Sequence, residues 1–268
     1  MNTPLRLSIS LVCYRSDPQL LQRTLTSLQQ SLQAVAVPVA AQLTVIDNGQ
    51  EPTSLRQLLD SCGWQQAQLI ANKSNSGFGS ANNQAICTAD SDLHLILNPD
   101  VELAVDTLQT AIAYLDQHPA VVAVSPSCRN AALEQESLCK RYPPLSVLLV
   151  RGFAPRWIKQ WLQASLARYE CRDLLARDKP LAVPLISGCF MLCRTSALRE
   201  VGGFDEHYFL YFEDFALSLA LSAKGELHHV PASHIVHHGG NAARKGWRHI
   251  GWFLRSACRF YQQYGWRL

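Results

Sequence analysis

The first half of the chain alternates between short apolar runs and stretches in which leucine recurs at helical spacing. Leu7-Ser8-Ile9-Ser10-Leu11-Val12 predicts a strand. Asp17 then offers an N-cap with Pro18 at the first helical position, and Leu21, Leu25, Leu28 and Leu32 mark one helical face. Further strands are predicted at Leu43-Thr44-Val45-Ile46, at Ala67-Gln68-Leu69-Ile70 and at Leu93-His94-Leu95-Ile96-Leu97. A helix over 104–117 and a strand at Val121-Val122-Ala123-Val124 continue the alternation. Strands that alternate with helices predict an α/β fold with a mostly parallel sheet flanked by helices. Between about 128 and 182 the alternation fades: Pro143, Pro144 and Pro155 interrupt it, and Arg151, Arg156, Trp157, Lys159, Trp161 and Arg168 mix cations with indoles. This stretch reads as a helical insertion facing an acceptor or a lipid surface. Order returns with a strand over Leu185–Leu192 and a short helix up to Gly202-Gly203.

A length of 268 residues with 48% hydrophobic content suits one large α/β domain. The balance of 24 Lys+Arg against 21 Asp+Glu is too mild for a nucleic-acid footprint, so no nucleic-acid partner is expected. Charge is uneven, however. Arg244, Lys245, Arg248, Arg255, Arg259 and Arg267 follow one another without an acid, interleaved with Trp247, Trp252, Phe253, Phe260, Tyr261, Tyr264 and Trp266. The division expected is therefore a domain over 1–243 and a basic aromatic helical tail over 244–268. The tail either meets anionic headgroups or packs on the domain with a solvated basic face. Nine cysteines without a CxxC pair favour reduced thiols in a cytosolic setting. The apolar run Leu7–Cys13 is too short to cross a bilayer, which leaves the membrane surface as the only membrane contact expected.

In open parallel sheets, ligands bind beyond the carboxyl ends of strands, which gives weight to the acids placed there. Asp47 follows one strand and suits a nucleobase or ribose, although Asp-Asn-Gly is also a good turn. Asp100, in Asn98-Pro99-Asp100, suits a hard divalent cation or a helix cap. Asn75-Ser76-Gly77-Phe78-Gly79 opens a helix whose free backbone N–H groups could hold phosphate, or is a tight turn. Glu213 and Asp214 emerge from an aromatic run at a helix start. Apolar walls there would raise a carboxyl pKa toward that of a general base, with Asp214 the candidate, while dipole-stabilised helix acids are the plainer reading. Among His228, His229, His234, His237 and His238, one could complete a site made of carboxylate and phosphate.

Taken in order, Val45-Ile46-Asp47-Asn48-Gly49, Asn75-Ser76-Gly77-Phe78-Gly79 with Asn82-Asn83, Leu97-Asn98-Pro99-Asp100-Val101, Ser187-Gly188-Cys189-Phe190-Met191, Gly202-Gly203-Phe204-Asp205-Glu206, Tyr211-Phe212-Glu213-Asp214 and Val236-His237-His238 resemble the family 2 inverting glycosyltransferases of GT-A fold. The likeness is greatest to the rhamnosyltransferase-type branch that builds bacterial cell-surface polysaccharides. It implies a Rossmann-like GT-A sheet and donor binding by Asp47, Asn75, Gly77, Asn82, Asn98, Asp100 and Gly188. It also implies a Mg²⁺ or Mn²⁺ ion on Asp100 and His237, and catalysis by Asp214 with Glu213. The expected reaction moves L-rhamnose from a dTDP donor to a saccharide or lipid-linked saccharide, in the cytoplasm or at the inner face of its membrane. A UDP-hexose or UDP-N-acetylhexosamine donor remains open, as does a catalytically silent nucleotide-sugar binding subunit. Ala216 and Ala220 stand where that branch has an acid and an arginine, and Asn241 near its usual serine.

Overall fold

The computed structural model describes residues 3–148, 161–239 and 247–266. Most of the cations and the proline expected to mark the insertion between 149 and 160, together with Arg244, Lys245, Asn241 and Arg267, lie outside them. So does the side chain of Trp247.

Four parallel strands come first, as the apolar runs require: β1 (Leu5–Cys13), β2 (Val39–Asp47), β3 (Gln68–Ala71) and β4 (Leu93–Leu97). They are joined by α1 (Pro18–Gln33), α2 (Pro52–Ser61) and α3 (Phe78–Ile86). Asp17 caps α1 as its position predicts, its Oδ1 accepting from Gln19 N at 2.8 Å. After β5 (Val101–Leu103), α4 (Thr107–Gln117) and β6 (Val121–Asn130) comes the insertion. It holds β7 (Gln135–Glu136), β8 (Cys139–Lys140), α5 (Gln163–Tyr169), α6 (Arg172–Leu175) and β9 (Leu181–Ala182). The chain closes with β10 (Leu185–Ile186), β11 (Phe190–Arg194), α7 (Thr195–Glu200), α8 (Glu213–Ser222), β12 (Glu226–His237) and α9 (Trp247–Tyr264).

The main sheet runs β3-β2-β1-β4-β11-β6-β12-β5, with β11 and β5 reversed against their neighbours. On one face Leu7, Ile9, Leu11, Leu95 and Leu97 meet Leu21, Leu25 and Leu28 of α1 and Leu108 and Leu115 of α4. On the other, Ile96, Met191 and Cys193 meet Leu198 of α7 and Leu217 and Leu221 of α8. A third cluster joins Val147, Leu148 and Tyr169 of the insertion to Tyr208, Phe212 and Ala216, and to Ala257, Phe260 and Tyr261 of α9. The tail is thus welded to the domain through its aromatic face.

Three expectations change. The single strand expected over 185–192 breaks at Ser187-Gly188-Cys189: β10 pairs with β8, and β11 enters the main sheet antiparallel between β4 and β6. Residues 101–103 form a short strand on β12, so Asp100 does not cap the following helix, which starts only at Thr107. The insertion is mixed rather than helical, with a hairpin on β6 before its helices.

Candidate active site

Parallel strands deliver their carboxyl ends to one edge, and here that edge receives Cys13, Asp47 and Ala71 in register, with Leu97 paired to Leu11 two residues earlier on β1. Because β11 runs the other way, its entry lands at the same edge: Phe190 faces Leu97, and Asn98 N donates to Cys189 O at 2.9 Å. Reversal of β5 has the same consequence, pairing Val101 with His237 at the end of β12. Asp100 and His237 therefore meet, with His237 Nε2 3.5 Å from Asp100 Oδ1. On its other side His237 Nδ1 lies 3.2 Å from Glu136 Oε2.

The Glu213–Asp214 pair opens α8 directly after two non-glycine residues in the left-handed region, Tyr211 at φ 71° and Phe212 at φ 66°. Each such residue stores about 1–3 kcal/mol and persists only where neighbours over-determine it. Those neighbours come from α9: Ser256 Oγ donates to Leu210 O at 2.8 Å, Tyr211 Oη lies 2.9 Å from His249 Nδ1, and the Phe212 ring packs on Phe253 and Phe260. Asp214 is held toward the sheet edge, its Oδ2 accepting from Gly188 N at 3.2 Å and its Oδ1 from Phe215 N at 2.9 Å. One helical turn on, Ser218 Oγ accepts from Ile186 N at 3.1 Å and fixes α8 against β10. Asp214 thus touches Gly188, whose neighbour Cys189 binds Asn98, two residues from Asp100. Glu213 is turned inward, only 5% exposed, and its Oε2 has no hydrogen-bond partner.

The loop expected to cradle phosphate has another use. Gly77 N donates to Asn75 Oδ1 at 2.9 Å and Phe78 N to Phe209 O at 3.1 Å, so those N–H groups are not free. Gly77 has φ +88°, and a Cβ there would collide with the Phe209 carbonyl. The loop is where the 204–212 segment docks. Asn82 is fully buried: it accepts from Ser10 Oγ at 2.6 Å, a bond that holds α3 against β1, and donates to Phe78 O at 2.9 Å. Asp47 is 1% exposed and holds its turn by accepting from Gly49 N and Glu51 N, each at 2.7 Å. Gly188 serves by donating to Asp214 and by admitting Phe78, whose Cε1 would lie 2.9 Å from a Cβ.

The sequence matches the family described as glycosyl transferase family 2 over residues 8–202. The chain belongs to that family. Rhamnosyltransferase WbbL of Escherichia coli (strain K12) is 30% identical over 194 residues, 69% of this chain and 69% of the relative. The N-acetylglucosaminyl-diphospho-decaprenol L-rhamnosyltransferase of Mycobacterium tuberculosis (strain ATCC 25618 / H37Rv) is 27% identical, over 87% of this chain and 76% of the relative. Two solved structures show the same fold. GalNAc-T7 with UDP, GalNAc and Mn²⁺ aligns with TM-score 0.65 at 15% identity over 98% of this chain. The mannosyltransferase PcManGT from Pyrobaculum calidifontis with GDP-Man and Mn²⁺ aligns with TM-score 0.60 at 18% identity over 97%. The chain spans 48% and 63% of those two structures.

In this family 2 glycosyltransferase the electrostatics suit proton and diphosphate chemistry. Burial raises the Asp214 carboxyl above its ordinary value against the lowering by Gly188 N–H, Phe215 N–H and the Ser187 hydroxyl. Burial, reinforced by the Asp214 charge, raises Glu213 well above its own. For His237 burial works downward, but contact with Cys189 and the Asp100 and Glu136 carboxylates carry it up. Cys189 is itself raised by burial and stays a neutral thiol, so the two carboxylates account for the effect. The residues present fit a divalent cation: Asp100 Oδ1 is buried without a hydrogen-bond partner beside an imidazole nitrogen, an O/N pair of the type Mg²⁺ and Mn²⁺ accept. Among the described residues no group of three or more His, Cys, Asp or Glu could hold a metal. Two rim residues escaped the sequence reading. Tyr14, 48% exposed directly after β1, was legible as an aromatic at a strand end, whereas Glu136 carried no local signal. The departure at Ala216 has a physical reason, because that site is 2% exposed inside the aromatic cluster of α9.

Proposed function

We propose that the chain is an inverting, metal-dependent rhamnosyltransferase that moves L-rhamnose from dTDP-rhamnose to a lipid-linked saccharide. The observation that carries it is the bond from Gly188 N to Asp214 Oδ2, one residue from the Cys189–Asn98 bond that leads to Asp100 and His237. A base and a diphosphate-binding pair so joined suit a single displacement. The acceptor hydroxyl attacks the anomeric carbon, Asp214 takes its proton, and the bond from that carbon to the diphosphate oxygen breaks with its electron pair on the departing nucleoside diphosphate. One displacement inverts the anomeric centre. Asp100 and His237 would hold Mg²⁺ or Mn²⁺, which supplies positive charge for the departing diphosphate. Tyr14 and the Asp47 turn offer a ring face and a rigid backbone for the nucleobase, with Asn98 and Gly188 beside the diphosphate and sugar. Rhamnose as the donor sugar rests on the two relatives named above, and the lipid-linked acceptor on the mycobacterial one.

The test is transfer by purified protein with Mn²⁺ from dTDP-rhamnose, UDP-hexose and UDP-N-acetylhexosamine. Asp214→Asn should lower turnover about 10²–10⁴-fold with nucleotide binding retained. Equal turnover by the variant would remove Asp214 from catalysis, and no turnover with any donor would favour the silent binding subunit.

The membrane reading attaches to the outer face of α9, where Arg248, Ile250, Leu254, Arg255 and Cys258 are exposed and acids are absent. Among the described residues no helix is long and apolar enough to cross a membrane. Ile250→Gln with Leu254→Gln should reduce flotation with anionic liposomes while activity on a soluble acceptor persists. Deleting the helix would be a poor test, since its inner face supports the Asp214 segment.

A further inference from the structure

We propose that Glu136 is a positioning residue for His237: it receives the Nδ1 proton, holds the ring plane, and leaves Nε2 aimed at Asp100 as the ligating nitrogen. The inference rests on the metal reading given above and concerns a residue of the insertion.

The strand register brings the three groups together. Cys128 of β6 pairs with Glu136 of β7 on one edge and with Ile235 of β12 on the other, and His237 follows two residues on. Glu136 and His237 thus reach over the same stretch of β6 from opposite edges. Their contact is His237 Nδ1 to Glu136 Oε2 at 3.2 Å, and the second oxygen-bearing neighbour, Asp100 Oδ1, faces the other ring nitrogen at 3.5 Å. The imidazole is largely enclosed, its side chain 12% exposed, so its orientation is set by protein and not by water. Of the two carboxylates, only Asp100 has a buried oxygen without a hydrogen-bond partner. That asymmetry assigns the roles: Asp100 is the oxygen left for a cation, and Glu136 the one engaged with the ring. A carboxylate behind a ligating histidine fixes its tautomer and raises its basicity, and removing such a partner weakens metal binding about 10–100-fold.

A plainer arrangement would be an imidazolium clamped between two carboxylates for stability alone, and the two roles separate experimentally. The full-length protein, Glu136→Leu and Glu136→Gln are titrated with Mn²⁺ in the presence of dTDP or UDP. Free Mn²⁺ is read by electron paramagnetic resonance, and melting temperatures are recorded alongside. Glu136→Leu should weaken Mn²⁺ about 10–100-fold. Glu136→Gln keeps a carbonyl acceptor for the Nδ1 proton and should recover most of that loss. In turnover assays the Mn²⁺ concentration for half-activation should rise more than saturated kcat falls. Glu136→Asp, with its acceptor drawn back by one methylene, serves if the leucine variant does not fold, and should lie between wild type and the expected leucine value. Unchanged Mn²⁺ affinity in the leucine or aspartate variant, with only the melting temperature lowered, overturns the proposal. Wild-type protein that binds no Mn²⁺ with either nucleotide overturns the metal reading itself, a result distinct from variants that bind as well as wild type.

Discussion

Replacing Asn82 by alanine separates a donor-binding residue from a structural one. Its carboxamide closes a buried polar chain that runs from Ser91 Oγ through Ser8 Oγ at 2.7 Å, His94 Nδ1 at 2.6 Å and, from His94 Nε2, Ser10 Oγ at 3.0 Å to Asn82 Oδ1 at 2.6 Å. Its Nδ2 also donates to Phe78 O at 2.9 Å. Alanine removes two hydrogen bonds of about 1 kcal/mol each and leaves a buried hydroxyl and carbonyl short of partners, another ~1 kcal/mol at least. Better helix propensity within α3 returns about 0.5 kcal/mol. The net loss of about 2.5 kcal/mol corresponds to a melting temperature about 5–10 °C lower for a chain of this size. Thermal unfolding measures the first quantity, and donor KM at a temperature where both proteins are folded measures the second. Donor KM should stay close to wild type. A variant that melts within about 2 °C of wild type while its donor KM rises about tenfold would refute the structural assignment and return Asn82 to the donor site.

Glu213→Gln should become more stabilising, relative to wild type, as pH rises. The folded-state carboxyl is raised well above its ordinary value, so wild type holds its full stability below the ordinary carboxylate range and loses it as pH climbs through the raised value. Glutamine carries no such loss, and melting curves from pH 5 to 9 (a span of about 4 units) should diverge upward; parallel curves would contradict the assignment. The acidic limb of kcat should fall above the ordinary aspartate value of about 3.9, because burial raises Asp214 and its charged form is the base. A profile flat down to about pH 4 would exclude that role. Gly239→Ala should sharply lower metal-dependent turnover, by about 100-fold, since the new Cβ would collide with the Asp100 carboxylate and lie 2.9 Å from His237 Nε2. Gly239 is partly exposed, so the melting temperature should move little; retained Mn²⁺ affinity would count against a cation between the two side chains.

Local pattern was enough for the first four strands, for α1 with its Asp17 cap, and for the edge to which Asp47 and Asp100 are delivered. Apolar runs of strand length separated by helical leucine spacing have one economical packing, a parallel sheet covered on both faces, and that packing puts strand ends on one rim. The seven ordered motifs carried the family, and the acids at 213–214 stood out because carboxylates beside an aromatic run are poorly explained as core. Other features depend on partners far away in sequence, which no window of residues can display. Whether the N–H groups of Gly77 and Phe78 are free depended on Asn75 and on the Phe209 carbonyl. The accessibility of Asn82 depended on Ser10, and the entry of β11 in reverse brought Cys189 to Asn98. Glu136 acquired meaning only when β7 and β12 were registered on β6, and the basic aromatic tail became a support for the Asp214 segment once its inner face was packed. Periodicity along a chain encodes which residues must leave water. Which hydrogen-bonding groups then satisfy one another, and which are left for a ligand, is decided when the elements are brought into contact.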